Sequence, residues 1–260
     1  MLKPLVKTAL RAIGLRLVKL PGSAEYGSIL PTANYTPWNS DREFLDIYRR
    51  ISENTLVDIY RCWELWTMVG QTAKLDSGAI LEVGVWRGGT GALMAKRAML
   101  AGIKDSVYLC DTFKGVVKAG PNDTTYKGGE HSDTSEALVD ALLQSLQIDN
   151  AKVIVGIIPD DATAELSAST FRLVHIDVDT YQSGKDIATW AWDRIVPGGA
   201  IVYDDYGFSC CEGIQRLVNE QAADGDKLVL HNLNGHAIVV KTGFSTGNVS
   251  PISRSATAPT

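Results

Sequence analysis

The sequence has no CxxC pair, no GxGxxG loop, no surplus of positive charge and no apolar run long enough to cross a bilayer. Each absence removes a class of protein. The four cysteines, Cys62, Cys110, Cys210 and Cys211, lack zinc-site spacing, and adjacent cysteines rarely bridge each other, so a reducing, cytoplasmic setting is expected. A formal net charge of −5 over 260 residues gives no bulk electrostatic case for nucleic acid. The segment Leu2–Leu20 is apolar but broken by Lys3, Lys7, Arg11, Arg16 and Lys19, which makes it a poor membrane span. Without GxGxxG, a dinucleotide pyrophosphate has no turn to sit on.

What is present is 45% hydrophobic residues, enough for one sizeable α/β core. The basic N-terminal stretch carries Leu5, Ala9, Ile13 and Leu17 down one helical stripe. Such a helix lies on a membrane surface or a partner, or packs on its own domain or a neighbouring subunit; the second is the commoner fate, and a homo-oligomer (dimer or higher) is expected. Residues 21–40 read as a loop, and Asp41 to about Lys74 as helical, with Ser40 as cap and Glu43 three residues later. The expected organisation is an arm and helical cap or lid over 1–75, an α/β domain over 76–242, and a disordered Ser/Thr/Pro/Gly tail over 243–260.

Seven short β-rich runs follow one another: AILEVGV (79–85), SVYLCD (106–111), AKVIVG (151–156), FRLVHIDV (171–178), GAIVYDD (199–205), KLVLHN (227–232) and HAIVVK (236–241). Segments long enough for crossover helices separate the first five, so a parallel sheet with helices on both faces is predicted. Only Leu233, Asn234 and Gly235 join the last two, which predicts an antiparallel hairpin at one edge.

The first run leads through ILEVGVWRGGTG (80–91) into a helical stretch. Gly84, Gly88 and Gly89 fall where strand must turn into helix, and glycine lets a ligand approach the backbone. The helix that follows aims its free N–H groups at the same space. Glu82, inside this region, would repel a pyrophosphate but suits a cationic or hydroxyl-bearing ligand. Asp111 ends the second run, where an acid accepts hydrogen bonds from ribose hydroxyls; the alternative is a turn cap before Thr112 and Phe113. Phe113 is a candidate to pack against an adenine, and Trp86 either faces the ligand or simply packs.

A second constellation is acidic. LVHIDVDTY (173–181) and AIVYDDYG (200–207) bring Asp177, Asp179, Asp204 and Asp205 to one edge of a parallel sheet. Four carboxylates there repel unless something positive sits among them, and a hard cation such as Mg²⁺ with oxygen ligands resolves this. The alternative is that one aspartate of each pair caps the next helix, a reading strongest for Asp179. His175 reads as a satisfied core residue, and His231 and His236 as structural flanks of the hairpin. His131, in GGEHSDTS (128–135), belongs to a candidate flap and is a candidate acid or base.

From about Asn54 to Lys241 the chain resembles the macrocin O-methyltransferase-like family, which includes the novobiocin and mycinamicin sugar methyltransferases. The resemblance rests on LEVGVWRGGTG (81–91), LCDTFKG (109–115), HIDVDTYQS (175–183) and RIVPGGAIVYDDYG (194–207), in order. It implies a Rossmann-like class I methyltransferase fold with a mostly parallel seven-stranded sheet. It also implies S-adenosylmethionine, Mg²⁺ and a sugar hydroxyl as acceptor, with a place in natural-product biosynthesis. By motif, Glu82, Gly84, Val85, Gly88, Gly89 and Thr90 would line the methionine part of the cofactor, and Trp86 is a further candidate cofactor residue. Asp111 would hold the ribose, with Thr112 and Phe113 as further candidate cofactor residues. Asp160 and Asp161 of IIPDDA (157–162) would close the adenine side. Asp177, Asp204 and Asp205 would be metal ligands, and Asp177, or Asp177 sharing with Asp179, would take the proton. The chain departs from better-known members in carrying VDV where they have VDG and in its flap, residues 116–135. The flap and N-terminal helices would form the acceptor pocket, so the expected partner stays a small glycoside or polyol. A catechol-type phenol is the main alternative acceptor. A nicotinamide oxidoreductase is disfavoured by the missing GxGxxG. A non-catalytic nucleoside-binding protein would not need such repelling groups.

Overall fold

The computed structural model describes residues 26–27, 29 and 33–243. The expected helix over 2–20 and, apart from Gly243, the expected tail lie outside the described residues. The chain divides into units Met1–Tyr35 and Thr36–Thr260, and every element named below belongs to the second.

The helical stretch expected from Asp41 to Lys74 is two helices, α1 (Arg42–Ile51) and α2 (Ile59–Thr72). The break has a local cause: Asp58 accepts hydrogen bonds from the backbone N–H groups of Tyr60 and Arg61 at 2.8 and 3.2 Å and starts α2 afresh. The cap of α1 is Asp41, bonded by the Phe44 N–H at 2.9 Å, and not Ser40, whose hydroxyl donates to the Pro37 carbonyl. Phe44, Ile47 and Ile51 of α1 and Leu65, Trp66 and Val69 of α2 share one core with Ile80, Leu93 and Leu173. The boundary expected after residue 75 therefore does not coincide with the packing, because these helices bury their apolar stripes on the sheet itself.

The remaining elements are β1 (Ala79–Val83), α3 (Gly89–Leu100), β2 (Val107–Asp111), α4 (Glu136–Ser145), β3 (Ala151–Val155), α5 (Ala164–Ala168), β4 (Phe171–Ile176), α6 (Tyr181–Trp192), β5 (Ile195–Tyr203), α7 (Glu212–Gln221), β6 (Lys227–His231) and β7 (Ala237–Lys241). The sheet order is β3-β2-β1-β4-β5-β7-β6. The first five strands are parallel, and β7 pairs antiparallel with both β5 and β6. The predicted hairpin is thus the edge of the sheet, with β6 outermost. β5 begins earlier than expected, since Ile195 pairs with Phe171 before the register shifts.

Side chains alternate along each strand. Ile80, Leu109, Leu173 and Val202 face the core with α1 to α4. Leu81, Tyr108, Val174 and Ile201 face the core with α6 and α7. The same alternation carries Glu82, His175 and Asp204 onto the α2 side, so a polar row crosses the strand ends beneath that helix. No helix among the described residues is long and apolar enough to cross a membrane.

Candidate active site

The strand order reverses between β1 and β4, and in an open parallel sheet such a reversal leaves a crevice beyond the carboxyl ends of the strands. A cavity of about 250 Å³ lies there. Gly84, at φ +92°, makes the turn out of β1; a Cβ at this position would stand 1.7 Å from the Asp177 carbonyl oxygen, so no other residue fits. Gly88, at φ +83°, caps α3 in the left-handed region.

Asp111 joins this turn to the end of β2. Its Oδ2 accepts the Trp86 N–H at 2.8 Å and its Oδ1 the Phe113 N–H at 2.7 Å. Burial raises its pKa, and the backbone donors work in the opposite direction. Asp111 is therefore a turn brace and a cavity wall at once. Each oxygen keeps a further lone pair for a ligand hydroxyl.

Of the cofactor residues expected from sequence, Gly84, Val85, Trp86, Thr90, Asp111 and Thr112 line the cavity. Glu82 does not. It is fully buried below the turn, where Oε1 meets His175 Nδ1 at 2.8 Å and Oε2 has no partner. Gly88, Gly89 and Phe113 are also outside the lining, and Phe113 packs against the first core instead. Asp160 and Asp161 lie outside it too: Asp160 pairs with Lys118 at 3.2 Å, and Asp161 accepts the Ile157 N–H at 2.8 Å. The Asp161 bond braces the loop that brings Ile157 and Ile158 to the cavity wall.

The four aspartates of the second constellation converge as expected, and all line the same cavity. Asp177, Asp204 and Asp205 each offer a carboxylate oxygen, and these lie within 4.8 Å of one another. Burial and mutual repulsion push Asp177 and Asp205 well above the usual carboxylate range. Asp179 is also raised, first by burial, although Tyr126 on the flap hydrogen-bonds its carboxylate. Its backbone, at φ +63°, lets its N–H bond Asp205 Oδ2 at 2.9 Å.

Asp204 differs from its neighbours. Burial would raise it, but His175, His236 and Arg61 together hold it far below the ordinary range. His236 Nε2 lies 2.9 Å from Asp204 Oδ1 and its Nδ1 2.7 Å from Glu64, while the Arg61 guanidinium donates to Asp204 Oδ2. Arg61 and Glu64 of α2 went unnoticed in the sequence. Their signal was there: two charged residues three apart, each just ahead of a buried apolar residue, Cys62 and Leu65, in a helix.

His175 carries a pH prediction. Burial alone would lower its pKa, but Asp204 and Glu82 outweigh that and raise it from 6.5 to about 9. A raised histidine stabilises the fold fully below its unfolded value and loses that contribution as pH rises through its folded value. His175→Gln should flatten the fall in unfolding temperature between pH 6.5 and about 9, followed by scanning calorimetry.

The flap contributes to the cavity wall. Tyr126 and His131 line it with ring centroids 6.0 Å apart. Asp133 fastens the flap to the glycine turn, accepting from Trp86 Nε1 at 2.9 Å and Arg87 Nη2 at 2.6 Å.

Residues 55–229 match the family Macrocin-O-methyltransferase (TylF). The chain belongs to that family. Over 174 residues it is 28% identical to the 8-demethyl-8-(2,3-dimethoxy-alpha-L-rhamnosyl)-tetracenomycin-C 4'-O-methyltransferase of Streptomyces olivaceus, covering 61% of this chain and 64% of that protein. Over 165 residues it is 24% identical to the mycinamicin III 3''-O-methyltransferase of Micromonospora griseorubida, covering 58% and 64%. The chain thus spans less than two thirds of these relatives' length. Among solved structures, the O-methyltransferase NovP superposes with a TM-score of 0.63 at 22% identity, over 73% of this chain and 82% of that one. The calicheamicin methyltransferase CalS11 gives 0.57 at 13%, over 80% and 94%. The fold is that of the class I O-methyltransferases, with the mostly parallel sheet and antiparallel edge pair read from the sequence.

Proposed function

We propose that this member of the macrocin O-methyltransferase family transfers the methyl group of S-adenosylmethionine to a hydroxyl of a small glycosylated molecule, with Mg²⁺ held by Asp177, Asp204 and Asp205. The observation that carries the reading is one cavity that holds both the Asp111-braced glycine turn and the aspartate cluster. A relative named for a rhamnosyl tetracenomycin supports a sugar hydroxyl as acceptor.

The residues suit a hard cation. Three carboxylates from two strand ends present oxygen donors at close range, and two are pushed up by burial and then by neighbouring like charge. A divalent ion would lower the pKa of a sugar hydroxyl by stabilising alkoxide charge, and the sulfonium of S-adenosylmethionine would supply an activated methyl group. The protein's own work is alignment and proton removal. Asp111 accepts the ribose hydroxyls, Ile157 and Ile158 give the base an apolar wall, and Asp177 takes the acceptor proton, alone or shared with Asp179.

The test offers S-adenosylmethionine, Mg²⁺ and a panel of glycosides and catechols, with products read by mass spectrometry. Methylated glycosides that vanish with chelator support the reading. Methylation of catechols alone would move the acceptor class, and turnover untouched by chelator would remove the metal. Asp111→Ala should weaken S-adenosylmethionine binding by about 1–3 kcal/mol through lost charge-assisted hydrogen bonds. Unchanged affinity by calorimetry would take the ribose role from Asp111.

A further inference from the structure

We propose that Arg61 is the resident cation of the aspartate cluster: a positioning residue that holds Asp204 in place, and that does for the metal-free protein what a divalent ion does for the loaded one. The inference rests on the metal-assisted reading above and extends it to a residue outside the strand-end motifs.

Arg61 reaches the cluster from α2, whereas the carboxylates come from the ends of β4 and β5. Its side chain is fixed at three points. Nε donates to Asp58 Oδ2 at 2.9 Å, Nη1 donates to Asp204 Oδ2, and the guanidinium lies 4.6 Å over the Phe208 ring. A planar fork can serve two carboxylates and an aromatic face at once, which an ammonium cannot. The residue is 8% exposed, so its charge is poorly screened. Asp58 is more open to solvent than Asp204, at 42% against 3%, so the stronger pull on the guanidinium comes from the cluster side.

Of the other basic side chains that line the cavity, the lysine is otherwise engaged and His131 acts on Asp179. Lys118 also lines it, but its ammonium is bound by Asp186 at 2.7 Å and Asp160 at 3.2 Å. His175 and His236 stand behind Asp204, and each is also tied to a glutamate, Glu82 and Glu64. Arg61 is therefore the permanent charge that faces Asp204 from the cavity side among the described residues, with Asp177 close enough to feel it. Four carboxylates meet one guanidinium there, and the arrangement remains short of positive charge. Removing Arg61 deepens that deficit while leaving the oxygen donors on β4 and β5 in place. A divalent ion then gains attraction and loses a repelling neighbour. Because an ion that binds only the folded chain stabilises it by mass action, the fold should come to depend on that ion.

The experiment measures the unfolding temperature of the full chain in chelator and in MnCl₂ for wild type, Arg61→Met and Arg61→Lys, with Mn²⁺ affinity from calorimetry. Arg61→Met should unfold well below wild type in chelator, gain at least about twice the wild-type shift on adding Mn²⁺, and bind Mn²⁺ at least about tenfold tighter. Arg61→Lys, which keeps the charge, should show a shift close to wild type. An Arg61→Met protein lowered equally in both conditions would overturn the proposal, since a merely structural arginine predicts that result. If wild type binds no Mn²⁺ but Arg61→Met does, the role of Arg61 stands and the metal-assisted reading of the natural chain falls. If neither binds, both fall. Should Arg61→Met give no folded protein in either condition, Arg61→Gln carries the same comparison.

Discussion

Asp177→Asn should lower turnover by about 10²–10⁴-fold, the range spanned by positioned acid–base groups, while leaving S-adenosylmethionine affinity nearly unchanged. The two effects separate because Asp177 sits at the end of β4, in the carboxylate part of the cavity, whereas the Asp111-braced turn belongs to β1 and β2. A second readout moves the other way. Burial and then the like charges around it push the Asp177 pKa well up, so a neutral isostere relieves both the desolvation cost and the repulsion in the metal-free protein. Its unfolding temperature in chelator should rise while activity collapses, the trade expected when a site is kept electrostatically strained for chemistry. Steady-state kinetics with a methylated product and scanning calorimetry in chelator check the pair. Near-normal turnover in the variant would take proton removal away from Asp177. A fall in stability would mean that the carboxylate is a structural partner and not a strained one.

The sheet and the convergence of its acids were legible because they follow from local rules. Period-two runs at crossover spacing set the parallel strands, and a parallel sheet brings the ends of β2, β4 and β5 to one edge. That alone places Asp111, Asp177, Asp204 and Asp205 around one space. What could not be read were contacts between distant segments. The Arg61–Asp204 pair joins residues 143 positions apart, and nothing local to either announces the other. Glu82 shows the opposite failure. Its place in the glycine-rich motif suggested a cavity residue, but Val83 and Gly84 follow it, and strand alternation turns it inward to His175. Phe113 is similar: two residues past the strand end, its backbone at φ +52° swings the ring to the first core. The flap has no periodic signal at all. It is held by contacts such as Thr180 Oγ1 on the Val117 carbonyl at 3.1 Å, which only the folded chain supplies.

Asp204→Asn is the substitution for which the structure changes the expectation most. As a metal ligand alone, Asp204 would give a folded and inactive variant. In its observed setting it is 2% exposed and receives Arg61 on one oxygen and His236 on the other. An asparagine keeps the shape but withdraws the charge that compensates a buried guanidinium, and breaking such a pair from one side costs about 3–5 kcal/mol. For a domain of this size each kcal/mol lowers the midpoint by about 2–4 °C, so a fall on the order of 6–20 °C is expected by scanning calorimetry. The loss should be coupled to Arg61. The double variant Asp204→Asn with Arg61→Met, which removes both charges, should be more stable than the sum of the single losses predicts, because their mutual attraction is then lost once and not twice. Additive losses would show that the two residues act separately, and that the cluster's charge is balanced by something other than the Arg61 guanidinium.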